Sequence, residues 1–181
     1  MIDTQEQAYT ITVFTENVPG LLSEVVSVFT RIKQNIDTLT VSASSFEGIH
    51  RFTVTTTCSK KWVDKIVGQL EKKIDVVAAF SYLQDEVISR EIGLFKIHSA
   101  FMQDAKNKQE LIEKFNPAVI EETEEYAVLV KTGRDATVQA MFDYLKSKDA
   151  INEFVRSGSV AVVKAMNPFS KRMQAMQDDF H

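Results

Sequence analysis

Three histidines, one cysteine and a run of glutamates are the residue types here that could do catalytic chemistry. His50, His98 and His181 lie far apart in the chain and fall in different predicted elements. A zinc site needs gathered ligands such as His-x-x-x-His or Cys-x-x-Cys pairs, and neither spacing occurs. His50 opens a predicted strand and His98 closes one, positions that favour a surface or hydrogen-bonded role over acid–base work. Cys58 follows a threonine run at a strand end and has no activating basic partner that the sequence identifies, so it reads as an inert thiol. Glu121-Glu122-Thr123-Glu124-Glu125 looks like paired carboxylates, but it sits where a hairpin should turn, and a solvated turn is the simpler reading. The six glycines are scattered and form neither G-x-G-x-x-G nor a Walker pattern. Nothing in this inventory composes an active site.

One segment offers binding instead. Glu16-Asn17-Val18-Pro19-Gly20-Leu21-Leu22-Ser23 places a glycine where a strand hands over to a helix. The free N–H groups of a helix N-terminus can receive a carboxylate there. Gly20 lets a ligand approach the backbone, and Asn17 has both donors and an acceptor for a zwitterion. On residue types alone, a plain helix-start turn is the favoured reading of the segment.

The elements that must position this segment are legible. Tyr9 to Thr15 alternates large apolar with hydroxyl side chains, which predicts a strand with one buried face. Leu21, Leu22, Val25, Val26, Phe29 and Ile32 share one helical face, with Pro19 suited to the first turn. Period two returns from Ile36 to Ser44, where Leu39, Val41 and Ala43 share a face. Glu47-Gly48 turns the chain into a strand over residues 49–57. Ser59 is placed to cap a helix carrying Trp62, Val63, Ile66, Val67 and Leu70 inward, and Ile74 to Leu83 reads as a fourth strand. The order β-α-β-β-α-β is the ferredoxin-like plan, an α+β fold.

The second half repeats that order. Arg90–Ser99 reads as a strand, Asp104–Phe115 as a helix with Leu111, Ile112 and Phe115 inward, and residues 117–123 and Tyr126–Thr132 as a hairpin. Asp135 is placed to cap a helix bearing Val138, Met141, Phe142 and Leu145, and Ile151–Lys164 supplies the closing strand or strands. Val160-Ala161-Val162-Val163 is apolar on both faces, so a second sheet is expected to cover it. Two tandem βαββαβ units are therefore expected: residues 1–85, residues 86–166, and a tail over 167–181. Around and within that tail Met166, Phe169, Met173, Met176 and Phe180 recur at helical spacing, either as a tail or as a partner-binding helix.

Composition narrows the function classes. The 181 residues are 44% hydrophobic and 25% charged, ordinary globular proportions. Up to Asp85 there are 8 basic and 10 acidic residues, and after it 13 and 15, so each half carries −2 and the chain −4. Neither half has the basic footprint of a nucleic-acid binder. A single cysteine excludes an intrachain disulfide and fits a reducing compartment. Without an apolar run of 18 residues or a signal-like start, a soluble cytoplasmic protein is expected.

Several of these stretches also carry a resemblance. E-N-V-P-G-L-L-S-E-V followed by F-T-R-I-K-Q-N-I-D-T-L-T-V resembles the ACT domain of the acetolactate (acetohydroxyacid) synthase small-subunit family, which shows E-N-x-x-G-x-L at this junction and N-I-E/D-S-L-T-V in the next strand. I-D-V-V-A-A-F, R-E-I-G-L-F-K-I and E-F-V-R-S-G resemble its later V-D-V, R-E-I/L-x-L-x-K and R-S/T-G motifs, in the same order. The resemblance implies a non-catalytic regulatory subunit that activates a separate catalytic large subunit and confers feedback inhibition by valine, leucine or isoleucine. It implies a homodimer through the ACT domains. Effector-binding residues would be Asn17, Gly20, Leu21, Leu22 and Ser23 at the helix start, with Asn35 and Ile36 approaching from the paired chain. No cofactor is expected in this chain; thiamine diphosphate, magnesium and FAD are expected on the catalytic partner. The second unit has Phe101-Met102-Gln103-Asp104 in place of the Asn-x-x-Gly turn, so one type of effector site is expected, in the first unit. The alternative is a stand-alone ACT-type amino-acid sensor controlling another enzyme or a transcription factor.

Overall fold

The computed structural model describes residues 5–165. The chain divides into two compact units: the first runs to Ile88 and resumes at Ala161, and the second is Ser89–Val160.

The first unit is built from β1 (Gln7–Glu16), α1 (Leu21–Arg31), β2 (Thr38–Ala43), β3 (Ile49–Cys58), α2 (Lys60–Leu70) and β4 (Val76–Leu83). Its sheet runs β2-β3-β1-β4, with every neighbouring pair antiparallel. Register places Val54 opposite both Leu39 and Ile11, and Phe52 opposite both Val41 and Val13. Against that face α1 packs Val25, Val28 and Phe29, and α2 packs Val63, Ile66 and Leu70. Full burial of each such side chain contributes about 1.5–3 kcal/mol, so the two helices are held by this stripe more than by propensity. After Arg31 the helix ends, and Lys33 takes a left-handed φ of 56°.

Several expectations change here. Pro19, expected in the first turn of α1, precedes its N-cap Gly20, and Leu22, expected on the inner face, is 49% exposed. Trp62, expected inward, is 38% exposed with the Lys65 ammonium 4.7 Å above its ring. Adjacent helical residues are about 100° apart, so placing Val63 in the core turns Trp62 out. The fourth strand starts at Val76, and Ile74 projects from the preceding loop at 98% exposure. The hydroxyl face of β1 is buried too, at Thr10 and Thr12, because β1 is central and its neighbour β4 sets Tyr82 opposite Thr10 and Phe80 opposite Thr12. Those two rings stack with centroids 6.3 Å apart.

The second unit follows a single 3₁₀ turn at Gln84–Glu86. From there the chain forms β5 (Val87–His98), α3 (Ser99–Gln103), α4 (Ala105–Phe115), β6 (Ala118–Glu122), β7 (Tyr126–Gly133), α5 (Asp135–Ser147) and β8 (Ile151–Arg156), and then β9 (Val160–Val163), where the first unit resumes at Ala161. The strand order is β6-β7-β5-β8, with β9 pairing β5. Phe95, Ile97, Leu111, Leu129, Met141 and Leu145 form its core. Gly93 lies where α5 crosses β5: a Cβ there would stand 2.7 Å from Val138 Cγ1 and 2.8 Å from Phe95 Cε2.

The repeat thus has the expected plan with local departures. Asp104 is the cap of α4 rather than its first residue, accepting from the Asn107 N–H at 2.8 Å. Ile112, expected inward, is exposed beside buried Leu111. Asp135, expected as a cap, is the first residue of α5. In β9 only Ala161 is buried, while Val160 and Val162 stay exposed. The Met/Phe pattern of residues 166–180 lies outside the described residues.

Candidate functional site

The loop between β1 and α1 is pinned from both sides. Glu16 donates its N–H to the Asp75 carbonyl and Asn17 donates to the Gly48 carbonyl, each at 3.0 Å. Gly20 then takes φ 88°, ψ −13°, a left-handed conformation that a residue with a Cβ adopts at a cost of roughly 1–2 kcal/mol. Its carbonyl accepts from the N–H groups of Ser23 (3.0 Å) and Glu24 (3.3 Å), which starts α1. No side chain caps this end. The N–H groups of Leu21 and Leu22, having no intrahelical acceptor, are left to a ligand or water. The helix dipole adds partial positive charge at the same point.

These groups border a concavity of about 130 Å³. Asn17, Gly20, Leu21 and Leu22 form its helix-start side, and Val41, Phe52 and His50 line it from β2 and β3. Thr15 and Glu16 contribute from β1. The arrangement combines unpaired donors, polar side chains and an apolar floor, which suits a small zwitterion with an aliphatic group better than it suits bond-breaking chemistry.

Four of the seven residues picked out in sequence therefore meet here. Ser23 does not: its N–H is already engaged by Gly20, and its side chain borders a shallower hollow of about 440 Å³ along α1 with Leu22, Val26, Ser27, Thr30 and Arg31. Asn35 and Ile36 lie beyond the far end of α1, an 11-residue helix about 16 Å long. The Asn35 carbonyl accepts from the Thr56 hydroxyl at 2.6 Å, and Ile36 packs on the core. Within one chain, neither borders the concavity. Val41, Phe52 and His50 were missed, although the hairpin register carried the signal: Phe52 pairs Val41, and His50, two residues earlier, shares its face.

The other chemistry-bearing residues are accounted for by their surroundings. Cys58 is buried, which pushes its thiol pKa up, away from nucleophilic use. Arg51, on the opposite sheet face from His50, has its pKa lowered by burial and donates to the Ala161 carbonyl at 2.5 Å. The acidic run spans the end of β6 and the β6–β7 turn, where Thr123 Oγ1 accepts from the Tyr126 N–H at 3.1 Å and the glutamates are exposed. In the second unit the position of the Asn-x-x-Gly turn is taken by α3, whose Phe101 and Met102 are buried in the core.

The sequence and fold match known proteins along most of their length. A family model described as the AHAS small subunit-like ACT domain matches residues 11–78, and one described as the small subunit of acetolactate synthase matches residues 90–165. The chain belongs to the acetolactate synthase small-subunit family. The acetolactate synthase small subunit of Buchnera aphidicola is 29% identical over 154 residues, covering 85% of this chain and 96% of that protein. That of Mycolicibacterium smegmatis is 29% identical over 157 residues, covering 85% and 89%. The crystal structure of the acetolactate synthase small subunit from Thermotoga maritima superposes with a TM-score of 0.78 at 26% identity, covering 89% of this chain and 99% of that one.

In this small subunit two of the motif stretches prove to be partners. Arg156 of R-S-G donates from Nε to Glu91 of R-E-I at 2.6 Å and from Nη2 to the Asp135 carboxylate. Burial opposes the Arg156 charge, yet the two carboxylates outweigh it and hold its pKa above the ordinary arginine value. Beside this pair, Ser157 and Ile92 exchange hydrogen bonds, both at 2.9 Å. Glu91 is only 6% exposed, so the motif is a structural clamp between β5 and β8.

Proposed function

We propose that this small subunit senses a branched-chain amino acid and sets the activity of a separate catalytic subunit of acetolactate synthase. The observation that carries the reading is the meeting of unpaired Leu21 and Leu22 N–H groups, the Asn17 amide and the apolar Val41–Phe52 floor in one concavity. The effector's carboxylate sits on those N–H groups, and Asn17 serves its polar end. Its aliphatic group lies along Leu21, Val41 and Phe52.

Two first units pair, and Asn35 and Ile36 of the paired chain close the site against Leu22, which is half exposed in the single chain. A ligand held between chains biases how they pair, and a coupling of about 1–3 kcal/mol suffices for regulation. The unliganded subunit activates the catalytic partner, and the effector weakens that activation. The partner carries the reaction's thiamine diphosphate, magnesium and FAD; this chain has no catalytic step to perform.

The test is thermal unfolding of the purified chain with each of the twenty amino acids. A ligand at about a hundred times its dissociation constant adds roughly 2.7 kcal/mol of stability. A rise confined to valine, leucine or isoleucine is expected. A flat panel, repeated with the catalytic subunit present, would refute the effector site.

A further inference from the structure

Among the described residues, His50 is the one group bordering the concavity whose side-chain type changes charge between pH 5 and 8. It stands on β3 opposite Thr15 of β1 and Ala43 of β2, two residues before buried Phe52, and so lies on the helix-side face at the sheet end where α1 begins. Along β3 that face continues with Phe52 and Val54 and then the buried Thr56. Half-buried, the imidazole has no side-chain hydrogen bond or ion pair among the described residues. A half-buried imidazole that borders a small hollow and has no side-chain partner among the described residues has the ligand itself as its available partner. A volume of about 130 Å³ corresponds to a sphere roughly 6 Å across, so a bound amino acid lies within Coulomb reach of every wall.

We propose that His50 contacts the carboxylate of the bound amino acid and couples effector affinity to the proton, so that the subunit binds its effector more tightly in mildly acidic than in neutral solution. The inference rests on the effector reading above and adds its regulation. The charged groups on the surrounding elements are Glu16 at the end of β1, Glu24 and Arg31 on α1, Glu47 in the β2–β3 loop, Arg51 on β3, and Lys73 and Asp75 before β4; β2 has none. Glu24 is committed to Lys73 at 3.2 Å. Arg51, the next residue on β3, faces the other side of the sheet. Arg31 sits in the last turn of α1, about 15 Å from the helix start, and Lys73 is engaged by Glu24, so neither competes with a charged His50 for the ligand's carboxylate. Linkage makes the effect reciprocal: if the proton favours the ligand, ligand binding takes up a proton.

The test is titration calorimetry of the full chain with valine, leucine and isoleucine at about pH 5.5 and about pH 7.5, where a free amino acid keeps its zwitterionic charges. Two buffers of different ionisation enthalpy report the protons taken up. Binding at least about fivefold tighter at the lower pH, the lower end of ordinary coupling, is expected together with proton uptake. His50→Gln and His50→Asn, checked for native circular dichroism, are expected to bind with one affinity at both pH values and to take up no proton. Unchanged pH dependence and uptake in both variants would overturn the assignment to His50. Wild-type binding that ignores pH overturns the proposal and leaves the effector reading standing. No binding at either pH, with or without the catalytic subunit, removes both.

Discussion

Gly20→Asp places a fixed carboxylate where the effector's carboxylate is proposed to sit. Nothing lies within 4 Å of the Cβ position, so the variant meets no steric clash. The left-handed backbone at φ 88° costs a side-chain-bearing residue about 1–2 kcal/mol, and a carboxylate at a helix N-terminus returns about 0.3–1 kcal/mol. Net destabilisation is therefore about 1 kcal/mol, or a fall of roughly 4–8 °C in the unfolding midpoint of a domain this size. The ligand suffers more. Two like charges about 6 Å apart repel by roughly 3 kcal/mol at an effective dielectric of 20, close to a hundredfold in affinity. Water at the open mouth screens part of this, leaving at least about a tenfold loss. Calorimetric binding of valine, leucine and isoleucine, beside a thermal melt, measures both numbers. Gly20→Ala is the control, since it has the same backbone cost without the charge. Effector affinity within twofold of wild type in Gly20→Asp, or equal losses in the Asp and Ala variants, would refute the argument.

Three further outcomes follow from the packing. Glu91→Gln takes the charge from a nearly buried pair; since Arg156 keeps Asp135 and is partly exposed, the loss is about 2 kcal/mol rather than the full 3–5, and a urea titration reads it. A change below about 0.5 kcal/mol would mean that the clamp is dispensable. Gly93→Ala is expected to destabilise by about 1–3 kcal/mol through overpacking, and Val138→Ala in the same chain should recover part of it, since Val138 Cγ1 is one of the two obstructing atoms, with Phe95 Cε2. Simple additivity of those two changes would contradict the close approach. Ile74→Ser should leave stability within about 0.5 kcal/mol, because the side chain is almost fully exposed; a larger drop in a thermal melt would show that Ile74 is covered.

Both repeats were legible because their hydrophobic periods are clean. Ile11 and Val13 alternate with threonines, and Val138, Met141, Phe142 and Leu145 keep one helical face, so strand and helix follow from spacing. The misses have physical causes. Ser99–Gln103 is too short to show a helical period, and its Phe101 and Met102 are fixed by the tertiary core. Trp62 was misplaced because hydrophobicity does not say which of two neighbouring apolar residues faces in. Half of the candidate site was readable at the Asn17–Leu22 loop, where the glycine and the helix start announce themselves. The β2–β3 side was readable in principle, since pairing Val41 with Phe52 sets His50 on the same face. The Glu91–Arg156 clamp joins residues 65 apart, and no local pattern marks them as partners.

The most direct test of the account is reconstitution with the catalytic subunit of the synthase from the same source. Acetolactate formation is measured with the catalytic subunit alone, after adding this chain, and then with valine, leucine or isoleucine added. The account predicts a rise in rate on adding the chain and a fall, towards the catalytic subunit's own rate, with at least one of the three amino acids. A catalytic rate indifferent to this chain, with and without those amino acids, would contradict it.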